Sequence, residues 1–155
     1  MPGACITVGV GQIRLRVPYR RDTVLLIAMS VRVLIVDDQA PFRDVARTVV
    51  ELTDGFEVVG EVETGEDSIT SARSLRPDLI LMDVNLPGIS GLDATREILA
   101  GVEEARPVVV LVLSTYEADE YGPRATEAGA AGFISKSDFS PDRLTEAWAA
   151  ATSPA

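Results

Sequence analysis

The sequence contains no histidine and a single cysteine, Cys5. The first absence removes the commonest general base and imidazole metal ligand, and with them any phosphohistidine donor within the chain. The second excludes an intrachain disulfide framework, and the two together argue against a structural zinc site. Positive charge is scarce as well: 14 Lys and Arg stand against 24 Asp and Glu, a formal net charge of −10. A phosphate-backbone binder needs a cationic surface, so nucleic acid is not an expected partner. No apolar run approaches the roughly 18 residues of a membrane span, so no membrane association is expected. The first βα turn carries neither GxxxxGK[ST] nor GxGxxG, which argues against an ATPase, a GTPase or a dinucleotide enzyme.

What remains is enough for one domain with a real core: 155 residues, 46% hydrophobic and 25% charged. The amino end differs in kind. Residues 1–28 hold Arg14, Arg16, Arg20 and Arg21 against the single acid Asp22, whereas the rest of the chain is strongly acidic. Arg20-Arg21 followed by Val24–Met29 faintly resembles a signal peptide, but the apolar stretch stops at Arg32. Met29 is a natural start for the domain, and processing near Ser30 would leave the first strand after it intact. The chain is therefore divided into an N-terminal extension at 1–28, a domain at 29–151 and a frayed C-terminus at 152–155. The extension is either disordered or a peripheral hairpin built from Thr7–Val10 and Ile13–Val17.

Within the domain, Val33-Leu-Ile-Val36 is a short, β-branched apolar run that reads as a buried strand and ends in Asp37-Asp38. Adjacent carboxylates at a strand tip point to a shared hard cation or, equally, to caps for the next helix. Pro41 sits near a helix start, and Phe42, Val45, Ala46, Val49, Val50 and Leu52 recur at helical spacing. Phe56–Val62 is a second strand, followed by a helix over about 66–75. Leu79–Asp83 is a third strand that also terminates in a carboxylate. Gly91–Ala100 is a helix, Pro107–Leu113 an uncharged fourth strand with Ser114 at its tip, and Gly132–Lys136 a fifth. Pro141 opens the last helix, with Leu144, Ala147 and Trp148 as its apolar stripe. Apolar strands alternating with amphipathic helices predict an α/β domain: a doubly wound, five-stranded parallel sheet with helices on both faces. In such sheets ligands bind beyond the carboxyl ends of the strands. Asp37, Asp38, Asp83, Ser114 and Lys136 all fall there, which favours the cation site over the cap.

Three carboxylates at one low-dielectric edge need compensation, which Mg²⁺ and a lysine supply. Asp83 in such a cluster is a candidate nucleophile toward phosphorus, with Lys136 and the Ser114 hydroxyl meeting the phosphoryl oxygens.

The blocks Val33-Leu-Ile-Val-Asp-Asp38, Leu79-Ile-Leu-Met-Asp-Val-Asn-Leu-Pro-Gly-Ile-Ser-Gly91, Val109-Val-Leu-Val-Leu-Ser114 and Gly129-Ala-Ala-Gly-Phe-Ile-Ser-Lys136 resemble the receiver domain of two-component response regulators. The resemblance covers about residues 31–151. It implies the flavodoxin-like strand order 2-1-3-4-5, with Asp83 as phosphoacceptor. Asp37, Asp38, Asp83 and the backbone carbonyl of Asn85 would hold Mg²⁺. Ser114 and Lys136 stand at the family's hydroxyl and lysine positions, and Phe133 matches the aromatic that changes rotamer with the hydroxyl. The implied partner is a sensor histidine kinase or phosphotransfer protein, in the cytoplasm, with a homodimer as a further option.

Two departures stand out. Lys136 is followed by Ser137 where many receivers carry proline, a variant that, with the stretch Ser114–Tyr121, resembles receivers attached to LuxR-type helix-turn-helix domains. Gly122-Pro123 falls in the fourth helix, which is therefore expected to begin at Pro123 and to end near Ala128. The surface of the fourth helix, fifth strand and fifth helix is the family's usual switching face. Three functions are consistent with these residues: a single-domain phosphoacceptor that promotes its own phosphorylation, the receiver part of a longer DNA-binding regulator, or a phosphorylation-independent interaction domain.

Overall fold

Uncharged runs become inner strands because only there are both faces covered. The computed structural model describes residues 5–10, 13–18, 30–102, 106–115 and 118–153, and the chain forms two units, Met1–Ser30 and Val31–Ala155. In the first unit, β1 (Cys5–Val10) and β2 (Ile13–Pro18) pair antiparallel, with Cys5 opposite Pro18 and Val10 opposite Ile13. The signal-like stretch at 20–29, with the candidate start at Met29, lies outside the described residues, as do 154–155 of the expected frayed end.

The second unit runs β3 (Val31–Val36), α1 (Ala40–Leu52), β4 (Phe56–Val62), α2 (Gly65–Leu75), β5 (Leu79–Asp83), α3 (Gly91–Ala100), β6 (Val109–Ser114), α4 (Ala118–Ala128), β7 (Gly132–Ser135) and α5 (Pro141–Thr152). The strands are all parallel, in the order β4-β3-β5-β6-β7. Counted within this unit that is 2-1-3-4-5, the flavodoxin-like doubly wound sheet that the sequence implies. Order reverses between β3 and β5, so the crevice expected to bind ligand opens between the tips carrying Asp37 and Asp83.

Alternate residues of each inner strand serve opposite faces. Val33, Ile35, Leu79, Leu81, Leu111 and Leu113 pack with Ala46, Val49 and Val50 of α1 and Leu144 of α5. Leu34, Val36, Ile80 and Met82 pack with Ile69 of α2 and with Ala94 and Ile98 of α3. Val112 joins Ala125 and Ala128 of α4. The less buried β4 is an edge strand, and its Glu61 meets Arg47 of α1 at 2.9 Å.

Three local expectations are corrected. Helix α4 begins at Ala118, with Pro123 inside it. Proline removes one backbone hydrogen bond, and the burial of Ala125 and Ala128, with Tyr121 packed alongside, outweighs that loss. On α1, Val45 and Leu52 are 50% and 69% exposed, because Ala46, Val49 and Val50 already fill the face toward the sheet and these two flank it. Strand β6 starts at Val109 rather than at Pro107, and β7 ends at Ser135, so Lys136 opens a 3-10 turn instead of closing a strand.

Gly91 matters most for the site's geometry. It starts α3 directly against the end of β5, its N–H donating to the Val84 carbonyl at 2.9 Å. A Cβ there would run into the Asp83 carbonyl and crowd the Met82 side chain. Gly91→Ala is therefore expected to destabilise the protein by about 2–3 kcal/mol in urea denaturation, through overpacking at the β5 tip. Gly122→Ala, where a Cβ meets nothing within 4 Å, is expected to stabilise it by about 0.5–1 kcal/mol, the ordinary gain for replacing a helical glycine.

Candidate phosphoacceptor site

The β3 tip is fixed by its backbone before its charges are considered. The Asp37 N–H donates to the Val62 carbonyl at 3.1 Å, and the Asp37 carbonyl accepts from Arg43 Nη1 at 2.8 Å. Arg43 in turn reaches Glu63 Oε1 at 2.9 Å, tying α1 to the end of β4. The Asp37 side chain is buried and uses both oxygens: Oδ1 accepts from the Gln39 N–H at 2.8 Å, and Oδ2 accepts from Lys136 Nζ at 2.6 Å. The capping alternative is thereby sharpened. Gln39, not Asp37 or Asp38, occupies the N-cap of α1, and no side chain caps it. Asp38 is exposed and lies beside the pair.

Lys136 reaches the carboxylates because the 3-10 turn at 136–138 follows β7 and is anchored by buried Phe139, whose N–H donates to the Lys136 carbonyl. Its ammonium lies 2.6 Å from Asp37 Oδ2 and 3.5 Å from Asp83 Oδ2, with the side chain only 8% exposed. The third side of the ammonium meets the Phe42 ring at 4.3 Å from the centroid, and Phe42 itself leans on Phe139. A ring face attracts a desolvated cation, so Phe42 helps hold the lysine in place.

Asp83 ends β5 and is buried. Burial first and the Asp37 charge second push its carboxyl up to about 6, against the pull of Lys136 and of a backbone hydrogen bond from Asn85. Asp37, Asp38 and Asp83 each offer an oxygen within 4.8 Å of the others. One ammonium faces three carboxylates, which leaves the crevice short of positive charge, and oxygen donors of this kind suit a hard divalent cation. Asn85 is exposed in the turn after β5. Ser114 is buried at the end of β6, one residue beyond the Leu113 that pairs with Asp83, and is engaged within the protein. Phe133 of β7 is half-buried and faces the cluster of Val112, Ala125 and Ala128 under α4.

The structure thus brings Asp37, Asp38, Asp83 and Lys136 together, with Asn85 and Ser114 at adjoining strand tips and Phe133 behind, toward α4. Sequence reasoning missed Phe42 and Arg43. Phe42 reads as an inward apolar position on α1, and nothing local signals its contact with a lysine that follows β7. Arg43 reads as an ordinary helical arginine.

A model described as the response regulator receiver domain matches residues 33–149. Among curated proteins, the response regulator GacA of Pseudomonas viridiflava is 42% identical over 106 residues, 68% of this chain and 48% of that protein. The transcriptional regulatory protein DegU of Brevibacillus brevis is 33% identical over 118 residues, 76% of this chain and 48% of that one. The chain spans about half the length of these relatives. Among solved structures, a two-component response regulator of the LuxR family from Aurantimonas sp. SI85-9A1 is 30% identical, with a TM-score of 0.67 over 76% of this chain and 81% of that one. The response regulator domain of Thermotoga maritima CheB is 27% identical, with a TM-score of 0.70 over 81% and 98%.

The raised Asp83 titration has a definite sign. In the folded protein Asp83 keeps its proton up to about pH 6, against an ordinary value of 3.8. Its contribution to stability is full below about pH 4 and is lost as the pH rises through 6. In chelator, Asp83→Asn is therefore expected to be more stable than the parent at pH 7.5 by about 2–3 kcal/mol, with the gap closing by pH 4. Urea denaturation of both proteins across that range checks it.

Proposed function

The chain belongs to the response regulator receiver domain family, and we propose on that footing that Asp83 accepts a phosphoryl group in a Mg²⁺-dependent reaction. The donor is a phosphohistidine on a sensor histidine kinase or phosphotransfer protein. The observation that carries this is the Asp83 carboxylate at the strand-order reversal, flanked by Asp37, Asp38 and the Lys136 ammonium. An Asp83 oxygen attacks phosphorus, forming an O–P bond as the N–P bond to the donor imidazole breaks. The imidazole leaves with the electron pair and takes up a proton. Asp37, Asp38, Asp83 and the Asn85 carbonyl would hold Mg²⁺, which would supply positive charge to offset that of the phosphoryl oxygens. Lys136 exchanges its weaker partner for one phosphoryl oxygen, and the Ser114 hydroxyl donates to another. Phe133 follows Ser114, which links the acceptor to α4, β7 and α5 as the output surface, with a second copy of the chain among its candidate partners.

A second reading, supported by the half-length match to the regulator DegU, makes this domain the receiver part of a longer DNA-binding regulator. Ser137 after Lys136 supports the LuxR-type lineage for it, and sequencing the flanking gene segment decides. The domain is too acidic to contact nucleic acid itself. Among the described residues no helix is long and apolar enough to cross a membrane, and the proposed donor places the reaction in the cytoplasm.

Incubation of the full chain with acetyl phosphate and Mg²⁺ is expected to add one phosphoryl mass at Asp83, read by mass spectrometry. Asp83→Ala abolishes the adduct, and labelling that persists in that variant contradicts the assignment. Lys136→Met is expected to slow adduct formation by on the order of 10²-fold, the typical effect of losing one preorganised charge donor.

A further inference from the structure

The opposite edge of the sheet, where the strands begin, carries arginines as well as acids. Arg32, Arg43, Arg47, Arg96, Arg124 and Arg143 each meet a carbonyl, a carboxylate or a ring. Among the described residues, the side chains of Arg73, Arg76 and Arg106 have no hydrogen-bond or ion-pair partner, and all three line one cavity of about 500 Å³. The cavity lies between the C-terminal ends of α2 and α3 and the starts of β5 and β6. Part of its wall is apolar, with Ile69 and Ala72 from α2, Ile98 from α3 and Val108 ahead of β6.

The backbone is held where α2 meets β5. Arg76 ends α2 in the left-handed region, φ 49, a position where glycine is the usual residue. Its N–H is bonded to the Ala72 carbonyl, and its own carbonyl accepts from Arg32 Nη1 at 2.8 Å. Asp78, the one acid among the described lining residues, accepts from the Arg32 N–H at 2.9 Å through Oδ2. A cavity of this size, walled partly by apolar side chains and partly by arginines, suits a small molecule. Three unpaired guanidinium groups in a protein of net charge −10 select an anion.

We propose that this cavity binds a small amphipathic anion, an aliphatic or aromatic carboxylate. Its apolar body lies against Ile69, Ala72, Ile98 and Val108, and its charge meets Arg73, Arg76 and Arg106. The site is separate from the acceptor crevice, and its occupancy does not depend on phosphoryl chemistry.

The test is a ¹⁵N NMR titration of the full chain with sodium octanoate, with octylammonium and acetate as matched probes. Octanoate is expected to bind saturably, with shifts centred on Ala72, Ile98, Val102 and Val108, and more weakly as salt is added. Octylammonium and acetate bind at least tenfold more weakly. The double variant Arg73→Gln, Arg106→Gln, whose changes are at exposed positions, keeps the parent melting temperature and loses about tenfold or more in affinity. Equal binding of octylammonium, or equal binding by that variant, overturns the proposal. So does the absence of saturable binding.

Discussion

The Lys136 ammonium between the Asp37 and Asp83 carboxylates is the contact on which the functional end of the molecule depends. It closes a charge cluster built from three strand tips, which only the parallel sheet brings together. A buried carboxylate left unpaired is costly, and a single buried lysine ion-paired with both neighbours removes much of that cost. It does not remove all of it. Three carboxylates share one cation, and the residual charge appears as an Asp83 carboxyl held up to about 6. A crevice in that condition favours whatever brings positive charge to it.

The scaffold around this cluster is arranged to hold it still. Arg43 fixes the Asp37 carbonyl, Phe42 and Phe139 back the lysine, and Gly91 lets α3 begin against the Asp83 main chain. None of these groups need touch an incoming phosphoryl group, yet each sets where the reacting oxygens sit. The two edges of the sheet carry different groups. Its carboxyl edge carries an excess of anions, while its amino edge carries three arginines without partners among the described residues. Both ends bear on α2 and α3, whose N-termini approach the acceptor crevice and whose C-termini frame the arginine cavity.

Much of this was legible in the sequence, for identifiable physical reasons. Val33–Val36, Leu79–Met82 and Val109–Leu113 are apolar without interruption, so their burial and parallel pairing followed from composition, and their polar termini marked the ligand edge. Local rules failed where distant packing decided. Pro123 argued for a late start to α4, but the burial of Ala125 and Ala128 carried the helix back to Ala118. Val45 and Leu52 fitted the helical period of α1, yet the face toward the sheet was already filled. Phe42 beside Lys136 was not legible at all, because the contact depends on the 3-10 turn that folds the lysine back over α1. The arginine cavity was hidden for the same reason, being made from the ends of two helices and two strands.

The most direct measurement is a ¹³C NMR titration of the Asp83 side-chain carboxyl, in chelator and again with Mg²⁺. If the cluster is short of positive charge as described, the midpoint lies near 6 in chelator, as its surroundings set it. It then falls by more than about one unit when Mg²⁺ is bound. An ordinary midpoint near 4 in chelator, or one that Mg²⁺ leaves unmoved, contradicts the description of the acceptor site.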